Sequence, residues 1–203
     1  MDDNQINISS LKSEKIKEVI SLHQKLLGLT LNNRLGNEHL QYVYETTIRH
    51  KQSKIAVATL NEKIVGHIVL SINPSDLRKT LLRNRSLGKL AKTFFSLLIK
   101  PSLFYQYLDN RKLEPPLYYK GSIIQPLLAV IAVDKGWQGL GIGSKLIEYA
   151  DQYFSLNNYF MYKVDTLISN RVSRLFYENN GFFELEKRGK NIVLIKLIEE
   201  SYE

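Results

Sequence analysis

The sequence predicts an α/β (α+β) fold in which a mixed central β-sheet is flanked by helices. Predicted strands and helices follow the order β-α-α-β-β-(insertion)-β-α-β-α-β-β. Hairpins combined with helical crossovers give a sheet that holds both antiparallel and parallel strands. The chain has 203 residues, 44% of them apolar, which suffices for one hydrophobic core. We therefore expect a single domain over residues 1–203, with a helical insertion at about 75–121.

The N-terminal part predicts a strand, two helices and a hairpin. A short strand candidate at 6–8 precedes an apolar 3.6-residue spacing that predicts a helix closed by Gly28. A second helix is predicted to begin at Asn37. Segments 55–60 and 64–70 are rich in β-branched residues and are joined at Asn61 and Glu62, as is typical of a hairpin.

The predicted insertion carries most of the positive charge. Between residues 76 and 112 there are nine Lys or Arg against two Asp, which is +7 of the net charge of +8. Apolar residues between 87 and 98 recur at helical spacing, so a basic amphipathic helix is predicted. Such a helix packs on its own domain, forms a lid or dimer contact, or lies at a membrane surface. Nucleic-acid binding is disfavoured, because the aromatic residues lie on the apolar face of the helix and are not interleaved with Arg residues for base stacking.

Composition excludes several other classes of protein. There are no cysteines, and the four histidines lie at no metal-ligand spacing, so neither disulfides nor a metal site are expected. No segment reaches about 18 uninterrupted apolar residues. The N-terminus is acidic and lacks the apolar run of a signal peptide. A cytoplasmic protein is predicted, with attachment to a membrane surface through 76–112 as the alternative.

The first functional motif is a strand, a glycine loop and a helix. An apolar strand ending at Val133 is followed by a turn and then by Gln138-Gly139-Leu140-Gly141-Ile142-Gly143. Backbone N–H groups of such a loop, together with the positive end of the following helix, bind phosphate. The sequence of this loop matches neither the P-loop motif nor the dinucleotide-binding fingerprint.

A second motif narrows the choice of family. The stretch from Asn170 to Phe182 places an Asn before a short helix that ends Phe-Tyr, followed by three residues and Gly-Phe. Both motifs, in this order, resemble those of the GNAT superfamily of N-acetyltransferases. The resemblance is strongest from about 127 to 183. It implies an acyl-CoA-dependent transferase with acetyl-CoA as co-substrate.

The resemblance also implies roles for individual residues. Tyr177 is the catalytic candidate, as the acid that protonates the leaving thiolate, and a backbone N–H near Val133 stabilises the oxyanion. The general base cannot be transferred from the family. Asp165, Glu45 and His67 stay open as candidates, with His67 expected to point outward from its strand, and a water chain to bulk solvent is the alternative to a side-chain base. Trp137 either stacks on the adenine or packs under the turn. The implied cofactor-binding residues, including the pantetheine ligand Asn170, are Ile131, Ala132, Val133, Gln138, Gly139, Leu140, Gly141, Ile142, Gly143, Ser144 and Asn170.

The acceptor is predicted only by class. The resemblance implies direct attack, in a ternary complex, by a primary amine of a small-molecule or sugar-linked acceptor, with the first two helices beside it. The basic segment would hold an anionic or nucleotide-linked portion of that acceptor. Two alternatives stay open, a membrane-surface acyltransferase and a non-catalytic CoA-binding regulator.

Overall fold

The computed structural model describes residues 5–27, 34–83 and 115–198. Its strands are β1 (Asn7–Ser10), β2 (Ser53–Leu60), β3 (Lys63–Ser71), β4 (Tyr118–Tyr119), β5 (Ser122–Ile123), β6 (Leu127–Val133), β7 (Met161–Leu167), β8 (Phe183–Arg188) and β9 (Asn191–Leu197). Its helices are α1 (Ile16–Leu26), α2 (Asn37–Arg49), α3 (Pro74–Arg83), α4 (Ile142–Ser155) and α5 (Arg171–Asn179).

Seven of these strands form one mixed sheet, as predicted. Their order is β1-β2-β3-β6-β7-β9-β8, and every neighbouring pair is antiparallel except β6 and β7, which run parallel. Helix α4 makes the crossover between the two parallel strands, which is the connection that parallel pairing requires. The predicted mixed sheet with flanking helices is confirmed.

Both faces of the sheet are covered. Helix α4 places Leu146, Ile147 and Phe154 in the core on one face, where Tyr177 of α5 joins them. On the other face, α1 and α2 bury Val19 and Leu40 against β2 and β3. A third apolar cluster lies under the small β4–β5 hairpin, whose flanking residues pack against β9. Helices therefore cover both faces of the sheet at β2 and β3.

Helix α3 was not predicted, although its start has a recognisable sequence. The Asn73 side chain accepts a hydrogen bond from the Asp76 N–H at 3.1 Å, and Pro74 is the first helical residue. An N-cap Asn followed by Pro at the first position is a strong helix start. The predicted amphipathic helix over 87–98 lies outside the described residues, as does Gly28.

Candidate active site

A gap between β6 and β7 dominates the centre of the sheet. The two parallel strands pair only where Leu127 faces Lys163, and the Lys163 N–H donates to the Pro126 carbonyl at 3.0 Å. On its other side, β6 is hydrogen-bonded to β3, since the Asp134 N–H donates to Val65 at 2.8 Å. Because N–H direction alternates along a strand, Val133 and Ile131 direct their N–H groups toward β7. The β6 backbone there is open to an extended ligand.

The glycine loop meets the end of this gap. Gly139 and Gly141 have φ of 81° and 74°, a left-handed conformation that glycine adopts without strain. Gly141 is the N-cap of α4, and the first helical hydrogen bond runs from the Lys145 N–H to its carbonyl at 3.0 Å. The N–H groups of residues 142–144, which come before Lys145, therefore have no acceptor within the helix. Free N–H groups at the start of a helix are the arrangement that binds anions.

The gap and the loop together form one cavity of about 420 Å³. Strand β6, the loop, the N-terminal turn of α4, the helix α5 and the end of α1 all contribute to its walls. The lining residues are Leu26, Leu27, Ile131, Ala132, Val133, Lys135, Trp137, Gln138, Gly139, Gly141, Ile142, Gly143, Ser144, Val172, Ser173, Phe176 and Tyr177.

Most of the predicted cofactor-binding residues meet in this cavity. All of them line it except Leu140, which is 56% exposed, and Asn170. The Asn170 side chain accepts a hydrogen bond from the Ser173 N–H at 3.2 Å and so caps α5. Trp137 both lines the cavity and packs against the core. The Gln138 side chain donates to the Val133 carbonyl at 2.9 Å and so fixes the loop to the strand.

The close approach of α4 and α5 requires a glycine at 143. A Cβ placed on Gly143 would lie 2.7 Å from Cε2 of Phe176, well inside contact distance. Phe176 precedes Tyr177, and its ring forms part of the cavity wall. The glycine thus allows the aromatic pair of α5 to reach the gap.

Tyr177 lines the cavity from α5 and is 7% exposed. Burial, with a further contribution from the negative charge of Asp165, raises the pKa of its hydroxyl well above the usual value. Its ring packs edge-on against Phe176 and Phe182. Tyr177 is therefore held as a protonated phenol with its ring position fixed.

The three candidate bases lie in different surroundings. Asp165 is on β7, on the face opposite the buried Tyr162 and Val164; its side chain is 30% exposed, and Oδ2 is 4.0 Å from Nζ of Lys163. Glu45 accepts a hydrogen bond from Gln41 at 2.7 Å and lines a different cavity. The expectation that His67 points outward is wrong. It is completely buried, because α1 and α2 cover its strand.

His67 belongs to a buried polar chain. The Tyr44 hydroxyl is 2.9 Å from Nε2 of His67 and 3.0 Å from Nδ1 of His23. Nδ1 of His67 has no hydrogen-bond partner within the described ranges. Burial, together with the charge of His23, lowers the pKa of His67 to about 3, and burial lowers the pKa of His23 to about 4. The three side chains tie α1, α2 and β3 together in a neutral state.

The wall contributed by α1 was not predicted. Leu26 and Leu27 line the cavity, and the neighbouring Lys25 places Nζ 2.9 Å from both carboxylate oxygens of Asp134. These contacts join residues more than a hundred positions apart, so no local pattern in the sequence indicates them.

A second cavity of about 620 Å³ lies at the other end of the sheet. It is lined by the end of α2 and the start of α3, near residues His50 and Asp76. Strand β2 begins there and runs parallel to β6, so this cavity is remote from the end of β6 that meets the glycine loop. None of the predicted cofactor-binding residues lines it.

Residues 113–184 match the family model of the acetyltransferase (GNAT) domain. Over these residues the chain is similar to the GNAT acetyltransferases. The matched residues include β6, the glycine loop, α4, β7 and α5, which are the elements that surround the gap. The match agrees with the predicted family, and the predicted class of enzyme, an acyl-CoA-dependent N-acyltransferase with acetyl-CoA as co-substrate, is confirmed.

Solved structures share the fold of this chain at low sequence identity. PaiA N-acetyltransferase from Thermoplasma acidophilum, in complex with coenzyme A, is 13% identical, with a TM-score of 0.62 over 95% of this chain and 99% of that one. The ribosomal-protein-S18-alanine N-acetyltransferase from Escherichia coli is 14% identical, with a TM-score of 0.59 over 98% and 97%. Aminoglycoside 6′-N-acetyltransferase from Acinetobacter baumannii is 13% identical, with a TM-score of 0.60 over 91% and 95%.

No curated protein matches the sequence at a significant level. In the described part of the chain, no helix has the length and apolar character needed to cross a membrane. Residues 5–27, 34–83 and 115–198 also contain no group of three or more His, Cys, Asp or Glu side chains placed to hold a metal ion.

Proposed function

We propose that this protein transfers the acetyl group of acetyl-CoA to a primary amine of a small-molecule or sugar-linked acceptor, by direct attack in a ternary complex. The observation that carries the proposal is the cavity in which an open strand edge, an anion-binding loop and the Tyr177 phenol converge. An extended amide chain such as pantetheine adds to a free strand edge through its backbone-like hydrogen bonds. The loop and the start of α4 would take the pyrophosphate.

In this proposal, Tyr177 is the general acid. The neutral amine attacks the thioester carbonyl, and the N–H of Val133 or Ile131 stabilises the oxyanion that develops. As the C–S bond breaks, the Tyr177 hydroxyl gives its proton to the leaving thiolate. The raised pKa of Tyr177 means that the phenol holds its proton, and so is able to donate it, when the thiolate forms.

Asp165 is our candidate for the general base. Its carboxylate is partly exposed beside the gap, and its charge acts on Tyr177. Glu45 lies at the other cavity, and His67 is enclosed on every side. Asp165 would therefore hold the acceptor ammonium and take its proton, while Tyr177 supplies a proton on the other side of the reacting carbonyl.

Release of free thiol from acetyl-CoA tests the function. The amine panel should contain simple primary amines, amino sugars, nucleotide-linked amino sugars and a peptide with a free N-terminus. We expect amine-dependent release with one of the small-molecule or sugar-linked members, and acetylated amine confirmed by mass spectrometry. CoA binding without amine-dependent release from any member would favour a CoA-binding regulator, and release with the peptide alone would overturn the predicted acceptor class.

A further inference from the structure

A carboxylate lies beside the loop that is expected to bind phosphate. Asp134 stands between Val133 and Lys135, which both line the cavity, and its side chain is 12% exposed. Its Oδ1 accepts a hydrogen bond from the Gly136 N–H at 3.5 Å, which holds the carboxylate at the base of the turn. A negative charge in this position repels an anionic ligand unless a cation offsets it.

Lys25 supplies that cation from a distant part of the chain. Its Nζ is 2.9 Å from both oxygens of Asp134, a bidentate contact that lies next to the cavity-lining residues of α1. This hydrogen bond, more than any other effect, holds the pKa of the Asp134 carboxyl below its usual range, and Lys63 adds a more distant positive charge. The carboxylate is therefore ionised at neutral pH, and the contact with Lys25 is a true ion pair.

We propose that Lys25 is a positioning residue for the co-substrate, which cancels the charge of Asp134 so that the neighbouring loop can accept the phosphates of acetyl-CoA. The inference rests on the proposed function, because it assigns the phosphate end of the same site. The ion pair also holds the end of α1, and with it Leu26 and Leu27, as a wall of the cavity. Lys25 thus links the acceptor-side helix to the donor-side loop.

The binding of CoA alone tests this role, without turnover. Trp137 is the single tryptophan of the chain and lines the cavity, so its fluorescence reports on occupancy. The variants are Lys25→Met, Asp134→Asn and the double variant of both. Lys17→Met is the matched control, since Lys17 is exposed on the same helix and its loss changes the net charge equally.

We expect Lys25→Met to weaken CoA binding about five- to tenfold at low ionic strength, and less at high salt, because an unpaired carboxylate then lies between two residues of the cavity wall and repels the phosphates. The double variant should bind CoA with an affinity within about twofold of that of the single variant Asp134→Asn. The control Lys17→Met should bind CoA like the wild type. Unchanged binding by Lys25→Met would overturn the inference. Weak binding that the double variant does not rescue would also overturn it, because the loss would then come from the packing of α1. Failure of the wild type to bind CoA would instead reject the proposed function.

Discussion

At the scale of single residues, Tyr177 is the group whose role is most sharply testable. Tyr177→Phe removes only the hydroxyl and keeps the ring between Phe176 and Phe182. Because general acid catalysis contributes roughly 10²–10⁴-fold, kcat should fall by at least about 10². The KM for acetyl-CoA and the affinity for CoA should stay within about threefold. Tyr118→Phe, on the exposed β4–β5 hairpin, is the matched control and should leave kcat unchanged. Wild-type kcat in Tyr177→Phe would remove the acid role.

Asp165 and Glu45 offer a direct comparison between two carboxylates. Asp165→Asn keeps the size of the side chain but removes the base, so kcat should fall at least about tenfold at saturating acetyl-CoA. Glu45→Gln changes a carboxylate of α2 that lines the remote cavity, and it should leave kcat as in the wild type. Steady-state rates with one acceptor amine measure both. Equal effects of the two variants would show that Asp165 has no special role.

At the scale of elements, the contact between α4 and α5 sets the shape of the cavity. Gly143→Ala places a methyl group 2.7 Å from the Phe176 ring, so the ring or the helix must move. We expect a loss of about 1–3 kcal/mol in the free energy of unfolding, as is usual for overpacking, together with weaker CoA binding. Gly136→Ala is the matched control, because its added Cβ meets nothing within 4 Å. Urea denaturation and CoA titration of both variants test the difference. If both variants matched the wild type, the packing argument would be wrong.

The sequence predicted the elements better than it predicted how they meet. The succession of strands and helices along the chain and the glycine loop follow from local patterns, since apolar periodicity and Gly spacing are set by neighbouring residues. The prediction that His67 points outward was wrong because it assumed that one face of the strand is solvated. Helices cover both faces of the sheet at β2 and β3. The ion pair of Lys25 with Asp134 and the single pairing of β6 with β7 depend on residues far apart in sequence. No local pattern encodes such contacts.

At the scale of the whole molecule, the chain of His23, Tyr44 and His67 holds the helices α1 and α2 on the sheet. Tyr44 is hydrogen-bonded to both histidines, and its hydroxyl has a pKa raised by burial. Neither histidine ring can gain a proton without placing a charge in the apolar layer between helix and strand. The packing of α1 and α2 on the sheet therefore depends on both rings staying neutral.

This dependence predicts an acid-sensitive fold. The unfolded state binds protons on both histidines below about pH 6.5, whereas the folded state resists until about pH 4 for His23 and about pH 3 for His67. Stability is therefore complete above about pH 6.5 and falls as the pH decreases, by up to about 1.4 kcal/mol per pH unit for each histidine. His67→Gln keeps a polar partner for Tyr44 but cannot titrate, so the slope of the unfolding free energy between pH 6 and 4.5 should fall by about half. Urea denaturation at several pH values measures that slope. An unchanged slope in His67→Gln would show that His67 is not among the groups that take up protons on unfolding.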